Sequence, residues 1–425
     1  MQAQLRSDVH PPLYYWFLRL WLEVIPATGP GLRSFSGVCL IVATAILWRF
    51  LRRVAGPDTG FAALALWLAN PLVILMAGYG RMYLLLAVWC IVVIDAAWRV
   101  CVSPSVRAAQ AILTAATVAG LLTHNWFAFF LCGLGTMMAM QFGTNARRLA
   151  PPLAAGALLY ALLWGGAAWS QVSGSQEQLA WLQPPGWQAP FEAAVAHLWL
   201  PLLASPLILV LAAIRKHRAG EAPLVQRAAL LAAVVTIAIP LAVSLWKPVF
   251  NPRFTIIAAP FLALALAGLV QRGGAPAASL LLLMGAGWGV WDSTHPSPCN
   301  SRAAAGVLSQ QARGADTVIF TRLTRKPVEW YWRDESISRL SFPAAIDRHP
   351  GYEGTLDEAA LRQEAAQLAN GITGRIFVLA DPGRPAPRIL LEALRASRQE
   401  HPPCLACEQA GQHYFSRMIL FEARR

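Results

Sequence analysis

Beyond about residue 35, apolar residues run in stretches of about 17 to 20 with few charges, the length a bilayer core demands of a helix. Ten such stretches are legible, at 35–51, 60–78, 82–98, 108–123, 125–142, 150–169, 195–214, 228–246, 254–271 and 276–292. Charge marks their ends. Every second loop is basic: Arg49, Arg52 and Arg53; Arg99 and Arg107; Arg147 and Arg148; Arg215, Lys216, Arg218 and Arg227; then Arg272. Cytoplasmic loops carry such an excess. The charge-poor set at 79–81, 123–125, 170–194 and 247–253 then faces out, with residues 1–34 and 293–425. From residue 296 the hydropathy falls and short strand-like and helix-like segments alternate, among them "DTVIF", "PVEWYWRDE", "LDEAALRQEAAQLA", "GRIFVLA", "PRILLEALRASRQ" and "YFSRMILFEA". The pattern predicts a mainly α protein: an external segment (1–34), a transmembrane bundle (35–292) and a small extracytoplasmic α/β domain (293–425).

Composition agrees, since 56% of the 425 residues are hydrophobic and 13% charged. The net charge of +13 suggests a nucleic-acid partner until it is divided along the chain. Eighteen Lys and Arg face eight Asp and Glu before residue 296, against seventeen and fourteen from there on. The excess therefore belongs to the loops that orient the spans, and no nucleic acid is expected. Multi-pass placement in the cytoplasmic (inner) membrane is the expectation. Cys39, Cys90, Cys101 and Cys132 fall inside apolar stretches, where thiols pack as small hydrophobes. The one intramembrane acid, Asp95, stands four residues before Arg99, a spacing that suits a local ion pair. This threading puts the N-terminus outside with no signal peptide in view, so a further helix is expected ahead of Met1.

The chain opens on "DVHPPLYYWFLRLWLEV" at 8–24. A proline after His10 disfavours helix at that histidine, while Pro11 and Pro12 suit a helix's first turn. Leu13, Trp16, Phe17, Leu20 and Val24 recur at helical spacing, with Arg19 and Glu23 four apart. This predicts a short helix in the outer interface with Tyr14, Tyr15, Trp16 and Trp21 at headgroup level, holding Asp8 and His10 at the membrane surface. Helix capping alone accounts for Asp8 and the prolines about as well.

Other polar groups collect on the same side. Arg33 precedes the first span; Arg81 and Tyr83 lie in "GYGRMYLLL"; His124 and Asn125 form the turn in "LLTHNWF"; "LWKPVFNPRF" brings Lys247 and Arg253 to two helix ends. Snorkelling to lipid phosphates explains any single one of these cations. Four of them beside an acid and a histidine suit a phosphate-bearing ligand. The long outer loop carries Trp181 and Trp187, indoles able to stack on sugar faces or to anchor at the interface.

Taken together, "DVHPPLYYWFLRLW", the Arg33–Ser36 pattern, the "GRMY" of Arg81 and Tyr83, and Trp181 before its prolines resemble the glycosyltransferase family 39 type of membrane enzyme. These are the protein O-mannosyltransferase and aminoarabinose-lipid A transferase relatives of the GT-C superfamily. The resemblance covers residues 1 to about 292, and "DVHPPL" is its specific part. It implies sugar transfer from a polyprenyl-phosphate donor to a lipid, glycan or protein acceptor at the outer face, with inversion and no metal or other cofactor. It also implies roles: Asp8 and His10 near donor phosphate and acceptor, Arg33 on the phosphate, Arg81 and Tyr83 in a further outer motif. The family's acidic pair in the first external loop, whose Asp is the catalytic base, has no counterpart here, which leaves Asp8 as a supporting acid.

Two other classes compete. A transporter of an anionic or lipid-linked substrate would suit the outer cations, but no inverted repeat or paired broken spans are visible. A non-catalytic scaffold in envelope assembly gains from the absent acidic pair. In the external domain, Cys299 can pair with Cys404 or Cys407, while the C-x-x-C of the latter two can be redox-active or half a zinc site. A structural disulfide is the preferred reading.

Overall fold

The computed structural model describes residues 10–103, 107–173, 184–215, 223–295, 298–347, 357–407 and 415–423. They fall into two compact units, one helical as far as Ser293 and one from Thr294 onward.

In the helical unit, α1 (Leu13–Val24) precedes α2 (Gly29–Leu68), α3 (Pro71–Ala77), α4 (Tyr83–Val102), α5 (Arg107–Leu121) and α6 (Phe127–Phe142). After these come α7 (Ala150–Ser173), α8 (Ala189–Ile214), α9 (Leu224–Val243), a 3-10 turn (Pro252–Ala258) and α10 (Ala259–Thr294). Among the described residues six helical runs are long and apolar enough to cross a membrane. α2 has 40 residues and α10 has 36, each interrupted once. In α2 the break is Gly56, at φ 81°, a left-handed conformation that glycine adopts without a Cβ penalty and that the following Pro57 reinforces. The chain folds back there, with the Gly60 Cβ position 3.2 Å from the Arg52 nitrogen. Gly274, at φ 68° just ahead of Pro276, breaks α10 in the same way. These breaks separate the stretches read from the sequence as 35–51 and 60–78, and as 254–271 and 276–292.

Small residues let helices approach. A Cβ on Gly133 in α6 would lie 2.7 Å from the Ala232 carbonyl oxygen of α9, closer than real Cβ contacts come. The core is shared by most helices and includes Trp67, Phe50, Phe127, Phe130 and Phe261, all under 2% exposed.

The second unit is a sheet between helices. β1 (Thr317–Thr321), β2 (Ser338–Phe342) and β3 (Ile376–Ala380) are parallel, and β6 (Arg417–Ala423) joins β3 antiparallel. β4 (Arg398–Glu400) and the short β5 (Leu405–Ala406) both pair with β6. Every residue of β1 and β3 is buried, as expected of central parallel strands covered on both faces. α13 (Glu358–Gly371) and α14 (Pro385–Ser397) cover one face through Leu361, Ala365, Ile389 and Leu394; α11 (Ser301–Gln311) and α12 (Arg325–Glu329) cover the other through Ala304, Leu308 and Val328.

Two arginines brace this unit. Arg375 donates to both carboxylate oxygens of Asp316, at 3.0 and 2.7 Å. Arg398 is buried and donates to the carbonyls of Ala369, Ile372 and Gly374, closing the end of α13. Cys299 is bonded to Cys407, and Cys404 remains a free thiol.

Candidate functional site

α1 begins at the position its two prolines dictate, and its first amide is anchored elsewhere in the chain. The Leu13 N–H donates to the Leu122 carbonyl at 3.0 Å, fastening α1 to the turn between α5 and α6. That bond brings His10 against His124, with ring centroids 5.4 Å apart and nearly edge-on. Tyr83, first residue of α4, lies 6.1 Å from His124; Phe254, in the 3-10 turn before α10, lies 5.1 Å from His124 and 6.1 Å from Tyr83. Four segments distant in sequence thus meet at one end of the bundle.

His124 is 4% exposed. Its Nδ1 accepts from the Trp126 N–H at 3.1 Å, so in the neutral ring the hydrogen sits on Nε2. That Nε2 is buried and has no partner among the described residues. Burial drives the imidazole pKa well below its usual range, and the neighbouring His10 acts in the same direction. His124 is therefore neutral, with its one N–H donor on Nε2. Buried polar atoms are nearly always paired in folded proteins, so an orphaned one is where an added ligand gains most.

Arg253 neighbours this cluster through Phe254. The Asn251 carboxamide oxygen caps the turn by accepting from the Arg253 N–H at 3.0 Å. The guanidinium donates to the Tyr79 hydroxyl at 3.1 Å and lies 5.9 Å from that ring's centroid. Arg81 acts on Tyr14: burial raises the Tyr14 phenol above its ordinary pKa, and the charge of Arg81 opposes part of that rise. The Tyr14 hydroxyl, like His124 Nε2, is buried without a partner among the described residues.

The structure therefore brings His10, Tyr83 and His124 together, with Arg253 beside them and Arg81 at Tyr14. Arg33 is exposed near the start of α2; its neighbour Leu32 packs on Gly80, one residue from Arg81. Asn125 and Lys247 are half-buried in the turns after α5 and α9. Asp8 and Trp181 lie outside the described residues. One expectation is corrected. Tyr14 does not open outward from α1: it is 2% exposed and packs on Phe35 at 5.8 Å, because Tyr14, Leu18 and Trp21 share the face that α1 turns inward. Trp16, Phe17, Leu20 and Val24 form its open apolar face. Trp21 donates from Nε1 to the Gly31 carbonyl and the Ser34 hydroxyl, fixing α1 to the start of α2.

A buried relay behind Arg253 had not been singled out in the sequence. Asn70 caps α3, its Oδ1 accepting from Leu72 and Val73, so its Nδ2 faces His197 Nδ1 as donor at 3.0 Å. His197 Nε2 then donates to the Thr255 hydroxyl at 2.9 Å, and that hydroxyl donates to the Pro252 carbonyl at 2.6 Å. The start of α3 and His197 of α8 thereby fix the turn that presents Arg253. The signal was available, since a lone ionisable residue inside an apolar run invites a functional reading.

An apolar multi-helix bundle that gathers histidine, tyrosine and arginine at one end, followed by a small α/β domain, is a fold this chain shares with solved structures. In particular the chain is similar to ArnT from Cupriavidus metallidurans, solved in the apo state and bound to undecaprenyl phosphate. The TM-scores are 0.59 and 0.62 at 12% sequence identity, over 97% of this chain and 87% of that one. No protein-family profile and no curated protein sequence matches the chain.

Proposed function

We propose that this protein is a membrane glycosyltransferase that takes a sugar from a polyprenyl-phosphate donor and passes it to a lipid, glycan or protein acceptor at the outer face of the inner membrane, where its C-terminal domain also lies. The observation that carries the reading is the convergence of His10, Tyr83, His124 and Phe254 at one end of the bundle, with Arg253 adjoining Phe254. It occurs in a fold shared with a protein crystallised with undecaprenyl phosphate. In this reading Arg253 and Arg81, assisted by Arg33 and Lys247, meet the donor phosphate. As the bond to the anomeric carbon breaks, charge grows on the departing phosphate oxygens, and fixed guanidiniums stabilise it more than they stabilise the ground state. His124 Nε2–H offers a neutral hydrogen bond to a phosphate or sugar oxygen. The acceptor oxygen attacks from the opposite face and gives up its proton to the Asp8 carboxylate, with His10 supporting that end of the reaction. Tyr83, Asn125 and Trp181 complete the sugar and acceptor surroundings.

The test is transfer by the purified full chain, reconstituted in vesicles, from a radiolabelled polyprenyl-phosphate sugar to extracted envelope acceptors. Arg253→Gln should lower the rate about 100-fold, as loss of a transition-state donor does elsewhere. Transfer that proceeds equally well in the variant would contradict the assignment.

A further inference from the structure

The end of the bundle opposite His124 holds a charge cluster that sugar transfer does not use. Arg49 and Arg53 stand four apart on α2 just before its Gly56 break, and Asp95 and Arg99 stand four apart near the end of α4. Each pair shares a helix face, and the two faces meet. Asp95 is 3% exposed. Arg49 Nη2 lies 3.3 Å from its Oδ2, while Arg53 pairs with Oδ1 and Arg99 with Oδ2. The sequence pointed to the Arg99 contact alone.

One carboxylate offset by three guanidiniums leaves two positive charges over. A carboxylate has about four acceptor directions, whereas three guanidiniums carry about fifteen N–H bonds, so most donors point elsewhere. The side chains of Arg49 and Arg53 are 60% and 40% exposed, and Arg99 Nε is buried without a partner among the described residues. Beneath them lies an aromatic bed. Arg53 sits over Phe50 at 5.9 Å, and Trp98 meets Phe50 and Phe142 edge-on at 5.7 and 4.8 Å. Half-buried indoles at helix ends mark the headgroup level of a bilayer.

We propose that Arg49, Arg53 and Arg99, splayed and preorganised by Asp95, form a binding site for the phosphate of an anionic phospholipid. Neutralising Asp95 requires one arginine; the other two supply planar donor pairs that match phosphate oxygens. Free phosphate presents the same oxygens, but the aromatic bed at a helix end favours a phosphate that brings acyl chains. The basic loops around this cluster put it on the face where anionic lipids attract cationic side chains. The proposal is independent of the transfer reading and survives its failure.

Native mass spectrometry of the full chain in neutral detergent tests it, with phosphatidylglycerol, phosphatidylcholine and inorganic phosphate as probes. Phosphatidylglycerol should be retained over phosphatidylcholine, and Arg49→Gln with Arg53→Gln should lower its occupancy about tenfold at matched concentration. Equal retention by wild type and double variant overturns the site. Displacement of the lipid by inorganic phosphate alone overturns the lipid assignment in favour of a soluble anion. Should the double variant fail to fold, Arg49→Gln carries the test, because Arg49 is the most exposed of the three; unchanged lipid occupancy in that variant overturns the proposal equally.

Discussion

At the scale of single residues, His124 connects burial to chemistry. Its ring stays neutral in the folded protein because burial and His10 both oppose protonation. In the unfolded chain an imidazole takes up a proton as pH falls below about 6.5. The unfolded state then binds more protons than the native one, so stability declines as pH drops through that value and is flat above it. The fall in melting temperature between pH 7 and pH 5 should therefore be smaller in His124→Asn than in the wild type, measured by thermal unfolding in detergent. Equal falls would contradict a buried neutral His124. His124, Tyr83 and Arg253 were legible in the sequence because each sits beside a turn between apolar runs, where a polar residue cannot stray far. Tyr79 and Phe254 were not legible, although each lies within two residues of one singled out. Their roles depend on which turns meet across the bundle, and no periodicity within one segment carries that information.

At the scale of elements, apolar length and basic loops located the helices, and the structure adds that a glycine shortly ahead of a proline marks each break. Gly56 before Pro57 needs a left-handed backbone that also ends a helix, so the turn is written locally. Helix partners are not. That α6 packs on α9 through Gly133 emerges only in three dimensions, and it sets a paired prediction. Gly133→Val forces a side chain against the α9 backbone and should destabilise the protein by about 1 to 3 kcal/mol. Gly135→Val, where the Cβ position meets nothing within 4 Å, should leave the melting temperature nearly unchanged. Similar losses in both would refute the close α6–α9 contact. Strand β2 escaped the sequence reading because "SRLSF" holds only two apolar residues, too few to announce a strand, and its neighbours supply its burial. Arg398 escaped it too, since nothing local announces that a strand arginine will close the end of α13. Arg398→Ala strands three carbonyls and should cost the C-terminal unit about 3 kcal/mol, read from the protease resistance of that unit. Unchanged resistance would contradict its capping role.

For the whole molecule, hydropathy and charge were enough to expect a polytopic bundle with an α/β appendage, because a bilayer imposes its thickness on every span. The fold shared with ArnT agrees with that expectation. Which end of the bundle receives the lipid phosphate is the claim on which the functional account depends. It is tested most directly by undecaprenyl phosphate binding to the purified chain, with phosphatidylglycerol saturating so that the opposite arginine cluster is occupied. Arg253→Gln should weaken that binding about tenfold and Arg49→Gln should leave it unchanged. Full affinity in Arg253→Gln, or a loss confined to Arg49→Gln, would contradict the account.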